Sequence, residues 1–287
     1  MSVSGRQFPR QAAAEWIRTT LSETAPSPMP TFDPFPSLMA AYNPMQLALF
    51  AGAALLAGLA RGFSGFGAAL IFIPLASAIV GPRVASAVLL VVDAVLTVGM
   101  IPPAFRMADR RDVFTMATGA LVGVPVGTML LAKGDPLTLR WLISGVVVVL
   151  LVFLLSGWRY SGRPKTPLTL LTGLVAGLFS GAAQLGGPPV VGYWLGGALK
   201  GAFVRANVIL YFAISTIFSL ASYFLGGLFS FDVFVFFLLA LPFYGAGLYA
   251  GSRLHGFADE ASFRRICYGL IAMSAVIGLP LFDSLLK

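Results

Sequence analysis

The chain has little that reacts. Of its 287 residues one is cysteine, Cys267, and one is histidine, His255. A lone cysteine excludes a disulfide within the chain, a redox pair and a cysteine metal cluster. A lone histidine excludes histidine-rich metal chemistry. No cofactor or metal is therefore expected. Charge is scarce as well, at 10% of residues, against the ~25% usual in soluble domains. The phosphate-cradling pattern G-x-x-x-x-G-K-[ST] is missing, so no P-loop nucleotide site is expected. Nor does residues 1–44 hold an apolar core with a small-residue cleavage site, so that stretch does not read as a secretory signal.

What is present is apolar. Hydrophobic residues make up 58% of the chain and the mean hydropathy is +0.89. A soluble domain of this size has no use for so much apolar surface, so most of the chain belongs in a bilayer. The net charge of +8 does not point to nucleic acid. The basic residues are scattered over short connections, where they act as loop and interface anchors. Residues 1–44 form a proline-containing tail with one short helical stretch around Trp16 and Ile17. Apolar runs follow at 46–79, 84–104, 113–132, 138–158, 168–198, 203–225, 232–254 and 264–283. The fold class expected is an all-α polytopic membrane protein with about eight transmembrane helices, a multi-pass protein of the cell (inner) membrane.

The first and fifth runs are too long for one crossing and too short for two, and both are broken by glycine. Shifted by 119 positions, the first overlies the fifth with Leu55, Ala57, Gly58, Leu59, Gly62 and Gly67 identical. A shift of 120 brings Val84, Val88 and Leu90 onto Val204, Val208 and Leu210. A shift of 124 matches Gly123, Gly127, Leu130, Asp135, Arg140 and Gly145. The chain therefore reads as two repeated four-span halves, 45–160 and 167–287, joined by a basic linker at 161–166. Each broken run is a helix followed by a re-entrant or half-length segment. If each half crosses four times the halves are parallel; if each broken run crosses twice they are inverted. Lys and Arg number 10 and 8 on alternate connections of the eight-span scheme, too even a split to orient the chain.

The doubled glycine segment resembles that of the TauE/SafE family of membrane permeases. The first copy runs from Gly58 through Gly62 and Gly65 to Gly67 and Pro74. The second runs from Gly177 through Gly181 to Gly186, Gly187 and Pro188. Ala68 and Ala69 depart from the glycines of the family pattern. The resemblance covers about 45–285 and implies a permease for sulfite, a sulfonate or a related organic anion.

Two ionisable residues sit deep in apolar runs, Arg61 in the first glycine break and Asp93 in the second run. A charge at membrane depth costs ~2.5 kcal/mol or more unless it is paired or faces water. One reading has the two neutralise each other and hold two helices together. The other sets Arg61 beside a substrate anion, with Asp93 positioning it or exchanging a proton. Their repeat partners are Ser180 and Ala213, so the charge is confined to one half. Gly65, Gly67, Gly186 and Gly187 are candidates to expose backbone N–H groups at a half-helix N-terminus. Gln184 and Asn207 are candidate donors for selectivity, as are Ser64 and Ser180. Each also suits a plain helix-to-helix hydrogen bond. Gly119-x3-Gly123-x3-Gly127 and Gly247-x3-Gly251 read as packing seams, and Tyr193 and Trp194 as interface-belt aromatics.

The expected function is thus a secondary transporter of a small anion, not an enzyme. Its partners are that solute, the lipid bilayer and a coupling proton or sodium ion, with room for a homo-oligomer and no role for nucleic acid. An intramembrane serine protease is the competing enzyme class, because Gly62-Phe63-Ser64-Gly65 has the form G-x-S-G. It would need His255 as base, and the second copy of the segment puts Ala183 in place of Ser64. A non-transporting scaffold gains nothing from a broken helix or a buried arginine.

Overall fold

The computed structural model describes residues 42–158, 160, 165–195, 201–254 and 260–282. His255, the stretch around Trp16 and Ile17, and most of the linker lie outside the described residues. Regular structure among the described residues is helical throughout: α1 (Pro44–Ser64), α2 (Ala68–Val80), α3 (Pro82–Thr97), a 3-10 turn (Val98–Met100), α4 (Ile101–Met107), α5 (Arg110–Lys133), α6 (Pro136–Leu155), α7 (Thr166–Ala183), α8 (Gly187–Trp194), α9 (Gly201–Leu225), α10 (Phe231–Leu254), α11 (Glu260–Ile277) and a 3-10 turn (Pro280–Phe282).

Local chemistry sets the helix ends. Asn43 Oδ1 accepts from the Met45 N–H at 3.1 Å, and Gln46 Oε1 accepts from the Asn43 N–H at 3.1 Å. That reciprocal box, with Pro44 in the first turn, starts α1. Asp135 starts α6 by accepting from the Thr138 N–H at 2.9 Å and its hydroxyl at 3.0 Å. These bonds hold the Asp135 carboxyl below the usual carboxylate range. Gly65, at φ 78°, ends α1, and Gln184, at φ 59°, ends α7. Both caps are left-handed, and they are partners under the 119-residue shift.

Seven helices among the described residues are long and apolar enough to cross a membrane: α1, α3 with α4, α5, α6, α7, α9 from Phe203, and α10. The two over-long runs each divide as expected into a crossing-length helix and a shorter one, α1 with α2 and α7 with α8. At 13 residues, α2 rises ~20 Å, short of a ~30 Å hydrocarbon core. The eighth expected span, 264–283, is α11, whose apolar stretch Arg265–Ile277 is also short. Outward faces are apolar, with Leu142, Val149, Val152 and Leu225 exposed, as lipid contact requires.

Contacts give the helix directions. A Cβ at Gly58 would meet Tyr244 O, and one at Gly62 would meet Leu248 O, so α1 and α10 run the same way. Gly123 lies against Leu174 O and Gly127 against Leu178 O, so α5 and α7 also run together. Both seams bring backbones into contact, which only glycine permits. They are the two most extensive helix pairs among the described residues. The packing reading of Gly119-x3-Gly123-x3-Gly127 and Gly247-x3-Gly251 is what the contacts show. The start of α9 lies beside the start of α5, where Asn207 Oδ1 accepts the Asp109 N–H at 2.8 Å. Its end lies beside the end of α7, where Tyr223 donates to Gly181 O at 3.0 Å. Arg61, late in α1, meets Asp93, late in α3, so these two helices share a direction and α2 returns between them. Gly62 and Ser252 near the ends of α1 and α10 line one cavity with Val204 and Arg205 near the start of α9. Hence α1, α3 and α10 run one way and α5, α7 and α9 the other.

Candidate functional site

The site forms where the first glycine break meets α3, α9 and α10. Arg61 lies one turn before the cap of α1. Its Nε donates to Asp93 Oδ1 at 3.0 Å and its Nη2 to Asp93 Oδ2 at 2.8 Å. This fork geometry is the strongest form of the pair. Arg61 Nη1 donates to Gly65 O at 2.6 Å, so the guanidinium also answers a carbonyl freed where the helix ends. Tyr244 donates to Asp93 Oδ1 at 2.8 Å, and the Phe212 ring lies 5.8 Å from the Arg61 guanidinium carbon. A guanidinium has five N–H groups. Three are used here, which leaves two for another acceptor.

Two cavities share this wall. The larger, about 1240 Å³, is a vestibule lined by the end of α1, Thr97, Arg205 and Ser252. The smaller, the inner cavity of about 60 Å³, adjoins it and is lined by Ser180, Gln184, Gly187 and Ser215. Arg61, Asp93, Phe66, Gly67, Phe212 and Thr216 line both. The ion pair therefore stands at the partition between a wide space and a narrow one.

Most of the residues singled out from sequence come together at this partition. Gly67 borders both cavities, Gly65 the vestibule, and Gln184 and Gly187 the inner cavity. The left-handed φ of 78° at Gly65 and 92° at Gly67 explains glycine at both positions. Gly186 stands apart. Its Cα faces Ser180 Oγ and Ala176 O, so closeness of packing accounts for it. Asn207 borders neither cavity and caps the α4–α5 junction through Asp109. The two breaks also differ in donors. Ala68 and Ala69 leave N–H groups free at the head of α2, whereas Pro188 and Pro189 remove two from the head of α8. Gln184 Nε2 instead donates to Ser180 O at 2.9 Å and Tyr223 Oη at 3.2 Å. Ser64 Oγ lies 2.7 Å from Ala60 O and 2.6 Å from Phe66 O, so its proton is committed to backbone. His255, the base that a protease would need, lies outside the described residues.

A model of the family described as sulfite exporter TauE/SafE matches residues 50–277. The chain belongs to this family. The match runs from within α1 to the last residue of α11 and includes both glycine breaks and the ion pair. Neither a comparison with curated proteins nor one with solved structures finds a match. Family membership and the seven crossing-length apolar helices make this TauE/SafE chain a multi-pass membrane protein of a transporter family.

Other groups in this TauE/SafE protein escaped the sequence reading. Tyr244 and Phe212, both at the ion pair, have no signature beyond aromatic character. Tyr193 and Trp194 correct an expectation. They are 4% and 1% exposed, so they are core and not an interface belt. Trp194 Nε1 donates to Asp112 Oδ2 at 2.6 Å, and Tyr193 Oη lies 2.6 Å from Thr169 Oγ1. Hydropathy marks an amphipathic ring at a run's end; it does not say whether lipid or Asp112 receives the polar edge.

Proposed function

We propose that this TauE/SafE protein is a secondary transporter of a small anion, of the sulfite or sulfonate class, in the cell (inner) membrane. The observation that carries the reading is the forked Arg61–Asp93 pair in the partition between the two cavities. Two Arg61 N–H groups remain for an oxyanion there, and Ala68 and Ala69 at the head of α2 line the smaller cavity. The family's description as sulfite exporters supports the substrate class.

The two halves, 45–160 and 167–287, act as inverted repeats. Support comes from the helix directions: α1 and α7, α3 and α9, and α5 and α10 are partners by sequence shift and run oppositely. Inverted halves rock about a shared site so that it faces each side in turn. Asp93 supplies the coupling. The pair is neutral at rest, and an arriving anion leaves the site one charge negative. A proton taken up by Asp93 restores neutrality and frees Arg61 for the solute.

The test is flux of labelled sulfite, sulfonates and carboxylates in proteoliposomes, with pH and sodium gradients set separately. Sulfite or sulfonate flux that follows the pH gradient is expected. Absence of flux for every solute under both gradients overturns the reading, and flux that follows only sodium overturns the role given to Asp93.

A further inference from the structure

The inward side of α9 carries a feature that the ion pair does not use. Every fourth residue from 207 to 223 is polar: Asn207, Tyr211, Ser215, Ser219 and Tyr223. None is more than 2% exposed. Sixteen residues of helix rise about 24 Å, most of a ~30 Å hydrocarbon core. Such a ridge turns by about 40° at each step, so its members meet different neighbours in order. Asn207 meets Asp109, Tyr211 sets its ring edge-on to Trp194 of α8, Ser215 lines the inner cavity, and Tyr223 reaches Gly181 and Gln184 of α7.

Much of this polarity is unanswered. Among the described residues Asn207 Nδ2 and Ser219 Oγ have no hydrogen-bond partner, and Tyr211 Oη and Ser215 Oγ have at most each other. Buried polar atoms without partners are uncommon in folded proteins and ask for water or a solute. Helix-to-helix bonding is the simpler role for serine in a membrane bundle, yet Tyr211, Ser215 and Ser219 make no side-chain hydrogen bond to a neighbouring helix among the described residues. All five side chains are able to donate hydrogen bonds, with the Tyr223 proton already given to Gly181 O, and none is anionic. A row of uncharged donors solvates an anion without repelling it, and it lacks the carboxylate rings that favour cations.

We propose that this ridge is a wet track along which the small anion passes beyond Arg61, with Ser215 the first contact off the inner cavity. The identity of the solute rests on the transport reading above; the track itself does not. Ser77 on α2 and Ser144 on α6 are matched controls: like Ser219 they are buried, have no partner among the described residues and border neither cavity, but they lie off the α9 ridge.

In a Cys267→Ala background, Ser215→Cys, Ser219→Cys, Ser77→Cys and Ser144→Cys are treated in reconstituted full-length protein with a membrane-impermeant anionic methanethiosulfonate. Modification of positions 215 and 219 at least tenfold faster than 77 and 144 is expected. Rates at 215 and 219 as slow as the controls overturn the track. Flux of labelled sulfite is measured in parallel for the four alanine variants. Ser215→Ala and Ser219→Ala are expected to cut it at least tenfold with unchanged or raised unfolding temperature in detergent, since removal of an unpartnered hydroxyl does not weaken a merely structural site. Normal flux in both also overturns the proposal. Fast labelling with no wild-type sulfite flux keeps the track and sinks the substrate assignment.

Discussion

At Arg61 two roles compete over the same atoms. A forked, tyrosine-buttressed pair can hold α1 to α3, and it can also wait for a solute. The side chains of Arg61 and Asp93 are 13% and 25% exposed, so either partner left alone is a poorly solvated charge. Arg61→Gln should therefore destabilise the protein by about 3–5 kcal/mol, read as a fall in unfolding temperature in detergent. Adding Asp93→Asn removes the stranded carboxylate and should restore most of that loss. Transport separates the two roles. The double variant is expected to be stable and at least tenfold slower in anion flux than wild type. Normal flux in the double variant means that the pair is only a clasp, and the anion site lies elsewhere.

Among the helices, the glycine seams are the most constrained element. Gly123 lies so close to α7 that a Cβ there falls on Leu174 O, with Leu178 N only 2.8 Å away. Backbone cannot move aside as a flexible side chain would. Gly123→Ala should cost about 1–3 kcal/mol by overpacking, whereas Gly145→Ala, with open space at its Cβ, should be neutral or slightly stabilising. Equal unfolding temperatures for the two variants would count against the seam. These seams were legible in the sequence because identities between the halves fall on Gly58, Gly62, Gly123 and Gly127, where backbone contact tolerates no substitute. The breaks were legible for the same reason, although Gln184 hides one. It holds a left-handed φ with its own side chain bonded to Ser180 O, and only its alignment with Gly65 gives it away. Helix direction was not legible, because basic residues divide almost evenly between alternate connections and α2 is too short to stand out as a separate crossing. Asp112, at the head of an apolar run, gave no sign that Trp194 would reach it from 82 positions away.

For the molecule as a whole, the proposed inverted repeat implies a second state that can be written down from the first. If the halves exchange conformations, each vestibule residue hands its place to its repeat partner. Ser252 lines the vestibule now, and its partner under the 124-residue shift is Thr128, which is 3% exposed with an unpartnered hydroxyl. Ser64 also lines it, and its partner under the 119-residue shift is Ala183, 1% exposed. The second state should therefore open a vestibule at Thr128 and Ala183 while it closes the one at Ser252 and Ser64. This follows from rocking of inverted repeats and not from a fixed pore, in which all four positions would keep their present exposure. In a Cys267→Ala background, Ser64→Cys and Ser252→Cys should react with an impermeant thiol reagent from one face of the membrane. Thr128→Cys and Ala183→Cys should react from the opposite face, and a solute that holds the protein in one state should slow one pair as it speeds the other. Reaction of all four from the same face, or no reaction at 128 and 183 under any gradient, rules out exchange between the halves.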